Sequence, residues 1–286
     1  MPWWASAVYY LSQVWRLQTL RIVRTLFGDL DSPLVLNRPF EDYRLFVDVS
    51  RTTAQGLLYL KGSRFVDEKM LVDELVKPGM TAVDVGANIG YYMLLLSTRV
   101  GNNGTVICLE PDPENLTELS RNLRCNQVEN AEVVESAVGE TDGEVRFQSG
   151  KNGNVSESGD ISVPLVKLDS VLEGRECDFI KVDVEGYEGS VLRGAKETIQ
   201  NKTHKLLVEI HPWVSGQYGY EYIFDFLGEH YDEVSYYEKE ELGALGRAYG
   251  RYASGGNLTQ IKDEDGLLRA CLDGTRTSTF WAVCGI

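Results

Sequence analysis

Several acidic side chains and one histidine stand where predicted strands end, and ligands bind at that edge in open α/β sheets. They are Asp84, Glu110, Asp183, Glu185 and His211. Carboxylates at such an edge accept hydrogen bonds from hydroxyl groups and favour a cationic ligand over an anionic one. A histidine beside them has an ordinary pKa of about 6.5, so it can exchange a proton at neutral pH. These residue types therefore suggest proton transfer from a bound hydroxyl group.

A glycine-containing turn follows the first of these carboxylates. The sequence TAVDVGANIGYY (Thr81–Tyr92) holds an apolar strand, Asp84, and then GANIG (Gly86–Gly90) before an amphipathic run. Glycine permits φ > 0 and close approach of a ligand, so the turn predicts free backbone N–H groups at a helix start. A dinucleotide motif reads G-x-G-x-x-G, whereas Asn88 stands between these glycines. The spacing therefore argues against a pyrophosphate ligand and against a nicotinamide oxidoreductase.

The next two predicted strands extend this ligand site. TVICLE (Thr105–Glu110) ends in a carboxylate that can accept both hydroxyls of a ribose, and Pro111 follows it. AEVVESAV (Ala131–Val138) places its end near an adenine. These features predict S-adenosylmethionine, which carries sulfonium and ammonium groups and no phosphate. The predicted cofactor-binding residues are Asp84, Gly86, Asn88, Gly90, Glu110, Pro111, Ser136 and Ala137.

The fourth and fifth predicted strands carry the candidate catalytic residues. DFIKVDV leads into Glu185, and alternate strand residues share a face, so Asp183 and Glu185 are predicted on the same side. KLLVEI presents Glu209 and then His211. We predict that His211 is the general base, with Asp183 or Glu185 orienting it or polarising the hydroxyl. Alternatively, Asp183, Glu185 and Glu209 hold a divalent cation such as magnesium, which would acidify the acceptor hydroxyl.

Two further charged residues lie in the same region. Lys181 stands within the buried strand pattern, so we predict an ion pair with Asp84 or Asp183 rather than a catalytic role. Glu188 falls in the first turn of the next helix, where a negative charge complements the helix dipole. Both residues are therefore predicted to be structural.

Five runs of the sequence together resemble a known family. They are VDVGANIGYY (Val83–Tyr92), LEPDPENL (Leu109–Leu116), SAVGETDGEV (Ser136–Val145), FIKVDVEGYEGSVLRGA (Phe179–Ala195) and VEIHP (Val208–Pro212). In order and spacing they are similar to the FkbM family of S-adenosylmethionine-dependent methyltransferases. The resemblance implies an α/β fold of class I methyltransferase type, a Rossmann-like sheet of about seven strands with the last strand antiparallel and helices on both faces. It also implies O-methylation of a hydroxyl or carboxyl of a sugar, glycan or related small molecule.

Charge and cysteine usage bound the partners and the compartment. A net charge of −15 argues against nucleic acid as the acceptor, because a phosphate backbone requires a basic surface. The 5 cysteines are scattered and form no C-x-x-C pair, which favours free thiols in a reducing compartment and predicts a cytoplasmic protein. With 3 histidines in the chain, a zinc site of the Cys/His kind is not expected.

The first 28 residues oppose the charge of the rest of the chain. They contain Arg16, Arg21 and Arg24, three tryptophans and no acidic residue. Charges interrupt this segment too often for a membrane span, which needs about 20 apolar residues. Two interpretations stay open. The segment is an amphipathic helix peripheral to the inner membrane face, near a lipid-linked acceptor, or a helix that packs on the catalytic domain or a second subunit.

The domain organisation follows from these segments. We predict residues 1–40 as an N-terminal helical extension and residues 41–286 as a single methyltransferase domain with a variable segment near 238–278. Within this arrangement, Asp31–Pro39 has loop signals and Tyr43–Val49 alternates like a strand. The oligomeric state has no sequence signature.

An alternative function is a noncatalytic nucleotide-binding scaffold in glycan assembly. Such a scaffold would keep the fold without turnover. The presence of Asp84, Glu110, Asp183 and His211 together speaks against it, because a scaffold needs no base beside a methyl site.

Overall fold

The structure is a computed structural model of the chain, and it describes residues 35–40, 42–48, 66–150, 153–200, 204–214, 218–239, 258–276 and 278–285. The predictions for residues 1–28, and those for positions 240–257 of the variable segment, lie outside the described residues. The chain divides into two compact units, Leu71–Glu238 with Leu258–Ile286, and Met1–Met70 with Lys239–Asn257. Within the described ranges, no helix is long and apolar enough to cross a membrane.

The described residues form fourteen strands and eight helices. The strands are β1 (Val35–Pro39), β2 (Arg44–Asp48), β3 (Thr81–Val85), β4 (Thr105–Leu109), β5 (Ala131–Val134), β6 (Ala137–Val138), β7 (Gly143–Gln148), β8 (Asn154–Val155), β9 (Ile161–Val166), β10 (Phe179–Val182), β11 (Lys205–Ile210), β12 (Val234–Lys239), β13 (Leu258–Ile261) and β14 (Phe280–Cys284). The helices are α1 (Val66–Leu75), α2 (Tyr91–Val100), α3 (Pro113–Asn126), α4 (Leu168–Leu172), α5 (Glu188–Gly194), α6 (Lys196–Gln200), α7 (Tyr220–His230) and α8 (Glu264–Leu272).

Strands β1 and β2 form an antiparallel hairpin in the smaller unit. The pairing runs from Val35 opposite Asp48 to Pro39 opposite Arg44. The strand predicted within Tyr43–Val49 is confirmed, but the loop prediction for the segment before it is wrong from Val35 onward. The loop signals of this segment are local, so they do not reveal that Val35–Pro39 pairs with β2. The hairpin contains residues from both sides of the boundary predicted at residue 40.

Eight strands of the described residues form one mixed sheet in the order β13-β12-β14-β11-β10-β3-β4-β5. The strands from β11 to β5 in this order run parallel, whereas β14 is antiparallel to both of its neighbours. Apart from β13 at the edge, this is the class I methyltransferase order, and the predicted fold class is confirmed. Central parallel strands are covered on both faces, which explains why β3, β4 and β10 are mostly apolar, with Asp84 and Lys181 as buried charged exceptions.

Helices cover both faces of this sheet, as predicted. On one face, Ile180, Leu192 and Phe226 belong to a core that the strands share with α4, α5, α6 and α7. Lys181 follows Ile180 in β10, so its side chain points to the other face. There it lies 4.3 Å from the centre of the Tyr92 ring in α2. Because these strands are parallel, their carboxyl ends lie at one edge of the sheet. The predicted site residues lie at or just after the strand ends on that edge.

A second sheet, in the order β6-β9-β7-β8, lies between β5 and β10 in the sequence. Its small core contains Ala137, Phe147, Val163 and Leu165. The single strand predicted for Ala131–Val138 is therefore two strands, β5 in the main sheet and β6 in this one. The chain changes sheets at Ser136, whose N–H donates back to the Val134 carbonyl oxygen at 2.9 Å.

Candidate active site

The turn between β3 and α2 is pressed against the end of β10. Gly86 has a φ of +82°, and a Cβ there would lie 1.9 Å from the backbone oxygen of Asp183. Gly90 also has a positive φ of 89°, and it caps the start of α2. The glycine requirement predicted for this turn has a double cause at Gly86, the left-handed backbone and the close approach of a neighbouring strand.

The prediction of free N–H groups in this turn is wrong. The backbone N–H groups of Gly86–Gly90 all donate within the protein. The first two bond to the Leu109 carbonyl oxygen at 2.9 and 3.1 Å, and that of Asn88 bonds to Glu110 Oε2 at 2.8 Å. Strand β4 and Glu110, which follows it directly, supply these acceptors, and the turn sequence alone does not reveal them. The turn therefore contributes shape to the site rather than hydrogen-bond donors.

Glu110 is held in place by three hydrogen bonds. It accepts from the N–H of Asn88 at 2.8 Å, the N–H of Asp112 at 2.9 Å and the side-chain amide of Asn115 at 3.0 Å. Burial raises the pKa of Glu110 to about 7, although these bonds oppose the shift. A carboxylate offers about four acceptor positions, so about one remains for a ligand hydroxyl.

A pocket opens between the turn, Glu110 and the second sheet. Its lining includes the predicted residues Gly86, Asn88, Glu110, Pro111, Ser136, Ala137, Asp183 and Glu185. Phe147 and Val155 of the second sheet also line it. Among the described residues, the buried Ser136 Oγ has no hydrogen-bond partner. The structure thus brings eight predicted residues to one pocket and leaves Asp84, Gly90 and His211 outside its lining.

The pocket fits the predicted cofactor, S-adenosylmethionine. Glu110 can accept a ribose hydroxyl, and the orphaned Ser136 hydroxyl can bond a polar edge of the adenine. Apolar walls such as Ala137 and Phe147 suit the faces of that ring.

Asp84 lies on the sheet face that α2 covers and is fully buried. Lys181 Nζ lies 3.6 Å from Asp84 Oδ1 and 3.3 Å from Asp183 Oδ2, so the predicted ion pairing of Lys181 is confirmed. Burial raises the pKa of Asp84, and the Lys181 ammonium opposes this shift. Burial lowers the pKa of Lys181, but the two carboxylates raise it above its ordinary value. Lys181 is therefore charged at neutral pH, and its ammonium forms an ion pair with Asp183 at the pocket edge.

His211 joins the ends of three elements. Its Nδ1 lies 2.7 Å from Glu188 Oε1 at the start of α5. Its Nε2 faces three carboxylates, Asp183 at 3.8 Å, Glu185 at 3.6 Å and Glu209 at 3.9 Å. Strand alternation is not what joins Asp183 and Glu185, because β10 ends at Val182 and Glu185 has a φ of 54°. The turn after β10 directs both carboxylates toward the imidazole.

The charge on His211 differs from the state that a general base requires. Burial alone would lower the pKa of His211, but the hydrogen bond and charge of Glu188 raise it, as do the charges of Asp183 and Glu209. The result is a pKa of about 9. At neutral pH the ring is therefore protonated, its Nδ1–H donates to Glu188, and its charge attracts the three carboxylates near Nε2. The prediction of a general base assumes the ordinary pKa of histidine, and the surrounding carboxylates raise the pKa of His211 above that value.

Glu188 is a residue of this site whose contact with His211 sequence reasoning missed. It begins α5 as predicted, yet it is fully buried, and Oε1 also accepts from the Gly186 N–H at 3.0 Å. Its bond to His211 spans 23 residues of sequence. No local pattern announces such a contact, because it depends on how α5 meets the end of β11.

The same cluster offers a candidate metal centre. One ligand atom from each of Asp183, Glu209 and His211 lies within 4.8 Å of the others. The predicted metal ligands were Asp183, Glu185 and Glu209, so the structure has His211 as the third ligand in place of Glu185. Carboxylate oxygens with an imidazole nitrogen suit several divalent cations.

Trp213 stands beside this cluster and was also absent from the predicted site. Its ring centre lies 5.0 Å from that of His211. Its Nε1 donates to the Glu185 carbonyl oxygen at 3.0 Å, and the residue is 51% exposed. The sequence signal was an aromatic residue directly after His211-Pro212, two positions past the candidate base.

Comparison with known proteins finds a methyltransferase family and individual methyltransferases. The Methyltransferase FkbM domain matches residues 84–237. Hexuronic acid methyltransferase AglP of Haloferax volcanii is 29% identical over 140 residues, which cover 46% of this chain and 56% of AglP. Protein-L-isoaspartate O-methyltransferase of Caenorhabditis elegans is 31% identical over 174 residues, covering 60% of this chain and 73% of the relative. The crystal structure of Methyltransferase FkbM from Methylobacillus flagellatus KT gives a TM-score of 0.43 at 21% identity, over 64% of this chain and 49% of that chain.

Proposed function

Because the chain belongs to the FkbM methyltransferase family and is an S-adenosylmethionine-dependent methyltransferase, we propose that it methylates a hydroxyl group of a saccharide. The observation that carries this proposal is the set of carboxylates gathered around His211 at the pocket edge. The name of the relative AglP, a hexuronic acid methyltransferase, supports a sugar acceptor. The chain is an enzyme, so the alternative of a noncatalytic scaffold no longer applies.

The pocket residues have separate tasks toward the cofactor. Glu110 would hold the ribose, while Ser136 and Ala137, which line the same pocket, would contact the adenine. Gly86 lets the β3–α2 turn pass close to the end of β10, which brings Asp183 to the same pocket. Bound S-adenosylmethionine supplies a methyl group that its sulfonium makes electrophilic.

The carboxylates of Asp183 and Glu185 line the pocket and receive the acceptor hydroxyl. One of them accepts the hydroxyl proton as the oxygen forms its bond to the methyl carbon and the methyl–sulfur bond breaks. His211 and Lys181 hold Asp183 between them at 3.8 and 3.3 Å, which fixes the carboxylate before the hydroxyl arrives. In this arrangement His211 positions the acceptor of the proton rather than taking the proton itself.

A metal-assisted form of the same reaction is a second candidate. The observation that favours it is the convergence of donor atoms from Asp183, Glu209 and His211. A divalent cation bound there would take the place of the His211 proton and acidify the acceptor hydroxyl. Loss of activity in EDTA, restored by magnesium or manganese, would establish this form, and full activity in EDTA would exclude it.

Cofactor binding and methyl transfer test the proposal separately. We expect calorimetric titration to show binding of S-adenosylmethionine and not of NAD. Transfer of a labelled methyl group is then measured on neutral hexoses, hexuronic acids and oligosaccharides. No transfer to any saccharide, by protein that binds the cofactor, would reject the sugar acceptor.

Three variants distinguish the chemistry from cofactor binding. Asp183→Asn, Glu185→Gln and His211→Ala should each retain cofactor affinity and lose about 100-fold in turnover, because each removes or loosens a carboxylate at the hydroxyl. Glu110→Ala is the matched control and should weaken cofactor binding instead. Unchanged turnover in both carboxylate variants would reject them as proton acceptors.

A further inference from the structure

Trp213 is unusual among the described residues for its combination of exposure and position. Large apolar side chains that are more than half exposed there are Met70 at 66%, Trp213 at 51% and Leu272 at 52%. Of these, Trp213 is the one that contacts the carboxylate–histidine cluster. An indole that shows half its surface to solvent beside reactive groups offers a face to a ligand.

The indole is fixed in place although it is exposed. Its Nε1 donates to the Glu185 carbonyl oxygen at 3.0 Å, and its ring lies 5.0 Å from His211, tilted by 33°. Gly186 makes the close approach possible, because a Cβ at that residue would lie 2.7 Å from Trp213 Cδ1. A positive φ of 101° at Gly186 completes the turn under the ring. The structure therefore holds a rigid aromatic surface, which binds a ligand with little loss of side-chain entropy.

The same turn places hydrogen-bond acceptors next to this surface. Glu185 supplies the backbone oxygen that holds the indole, and its carboxylate lines the pocket together with that of Asp183. A pyranose has one face of C–H groups, which suits the electron-rich face of an indole, and a rim of hydroxyls, which suits carboxylates. A wholly apolar acceptor would offer no hydrogen bond to the carboxylates, and a phosphate-bearing acceptor would be repelled by them.

We infer that Trp213, with Asp183 and Glu185, forms the acceptor subsite, and that a pyranose ring stacks on the indole while its hydroxyl reaches the carboxylates. This inference deepens the proposed function and rests on it. Trp213 is a residue that binds the acceptor, and it takes no part in moving the proton.

The test measures saccharide binding and methyl transfer as separate quantities. Saturation-transfer NMR with methyl glycosides of neutral hexoses and hexuronic acids reports binding to the full chain in the presence of S-adenosylhomocysteine. We expect Trp213→Ala to weaken glycoside binding, and to raise KM in the transfer assay, by about tenfold. The affinity for S-adenosylmethionine should not change, which also shows that the variant is folded.

Two further variants sharpen the result. Trp213→Phe keeps an aromatic face and should retain most of the glycoside affinity, although it loses the bond to Glu185. Leu272→Ala removes a side chain of equal exposure at the end of α8, outside the pocket lining, and should change neither quantity.

The outcomes separate this inference from the proposed function. Equal glycoside affinity in the wild type and in Trp213→Ala, or no glycoside binding at all, would overturn the subsite. Glycosides that bind the wild type through Trp213 and are never methylated would overturn the proposed function alone. Methylation of phenols without any saccharide would overturn the pyranose as the occupant.

Discussion

A buried acid–imidazole pair ties the start of α5 to the end of β11. Glu188 is fully buried, and it holds His211 through Nδ1 at 2.7 Å. A hydrogen bond at one ring nitrogen fixes the orientation of the other, so Nε2 is directed at the carboxylates. Glu188 acts on the reaction through His211 and is a positioning residue.

Removing the charge of Glu188 should make His211 easier to deprotonate. Glu188→Gln keeps an oxygen acceptor but loses the negative charge, so the pKa of His211 should fall from about 9 to roughly 7–8. Proton NMR titration of chelator-treated protein measures this value, since the chain has only 3 histidines to assign. His204, whose pKa is lowered by burial, serves as an internal control and should titrate as in the wild type. An unchanged pKa of His211 would contradict the pairing.

The buried carboxylate of Glu110 should make cofactor binding depend on pH. Because burial raises the pKa of Glu110 to about 7, the group is neutral below that pH and charged above it. The charged form accepts a ribose hydroxyl better and attracts a cationic cofactor, so affinity should rise with pH, by up to about tenfold per pH unit below pH 7. Calorimetric titration between pH 5.5 and 8 measures the slope.

Glu110→Gln is the matched control for this dependence. The amide keeps an oxygen acceptor and cannot titrate, so its affinity should be low and flat across the same pH range. A slope that persists in Glu110→Gln would assign the titration to another group.

At the scale of elements, the sequence predicts what depends on local pattern. The mostly apolar runs of β3, β4, β10 and β11 identify these parallel strands, and the site residues follow from their ends. The β1 strand and the division of Ala131–Val138 into two strands were missed, because each depends on a partner strand that lies elsewhere in the sequence. The N–H groups of the glycine turn were misjudged for the same reason, since β4 supplies the acceptors.

The turn between β3 and α2 should tolerate no side chain at Gly86. Gly86→Ala combines a left-handed backbone with a Cβ only 1.9 Å from a backbone oxygen. We expect it to lower the free energy of unfolding by about 3 kcal/mol or more, and to abolish cofactor binding. Urea denaturation and calorimetric titration measure the two effects.

Gly79→Ala is the matched control for this substitution. Gly79 has a similar φ of +87°, but nothing lies within 4 Å of the added Cβ. Only the backbone strain applies, so the loss in unfolding free energy should be about 1 kcal/mol, with cofactor binding intact. Equal losses at both positions would show that the close approach of β10 is not what Gly86 provides.

At the scale of the whole molecule, the net charge disfavours a polyanionic acceptor. The chain carries 43 acidic and 28 basic side chains, and its site adds carboxylates at the point where an acceptor arrives. A polyanion would meet repulsion at long range and again at the site. A neutral sugar, as in the proposed function, would meet no repulsion at long range or at the site.

We therefore expect no binding to nucleic acid. Filter binding with labelled RNA at about 0.1 M salt should show no retention, because a polyanion needs basic side chains to release its counterions. The methyl-transfer assay should likewise show no incorporation into RNA. Incorporation into RNA under these conditions would contradict the assignment of the acceptor class.

The second sheet has an evolutionary consequence that follows from how it is joined to the rest. The segment leaves the main sheet after β5 and returns through β9, and its first and last strands, β6 and β9, lie side by side with Ala137 opposite Leu165. A segment whose two ends are neighbours can be lengthened, shortened or exchanged without disturbing the strands that flank it. Since Phe147 and Val155 of this segment form part of the pocket wall, a change in the segment can reshape that wall while the strands that lead into Asp183 and His211 stay in place.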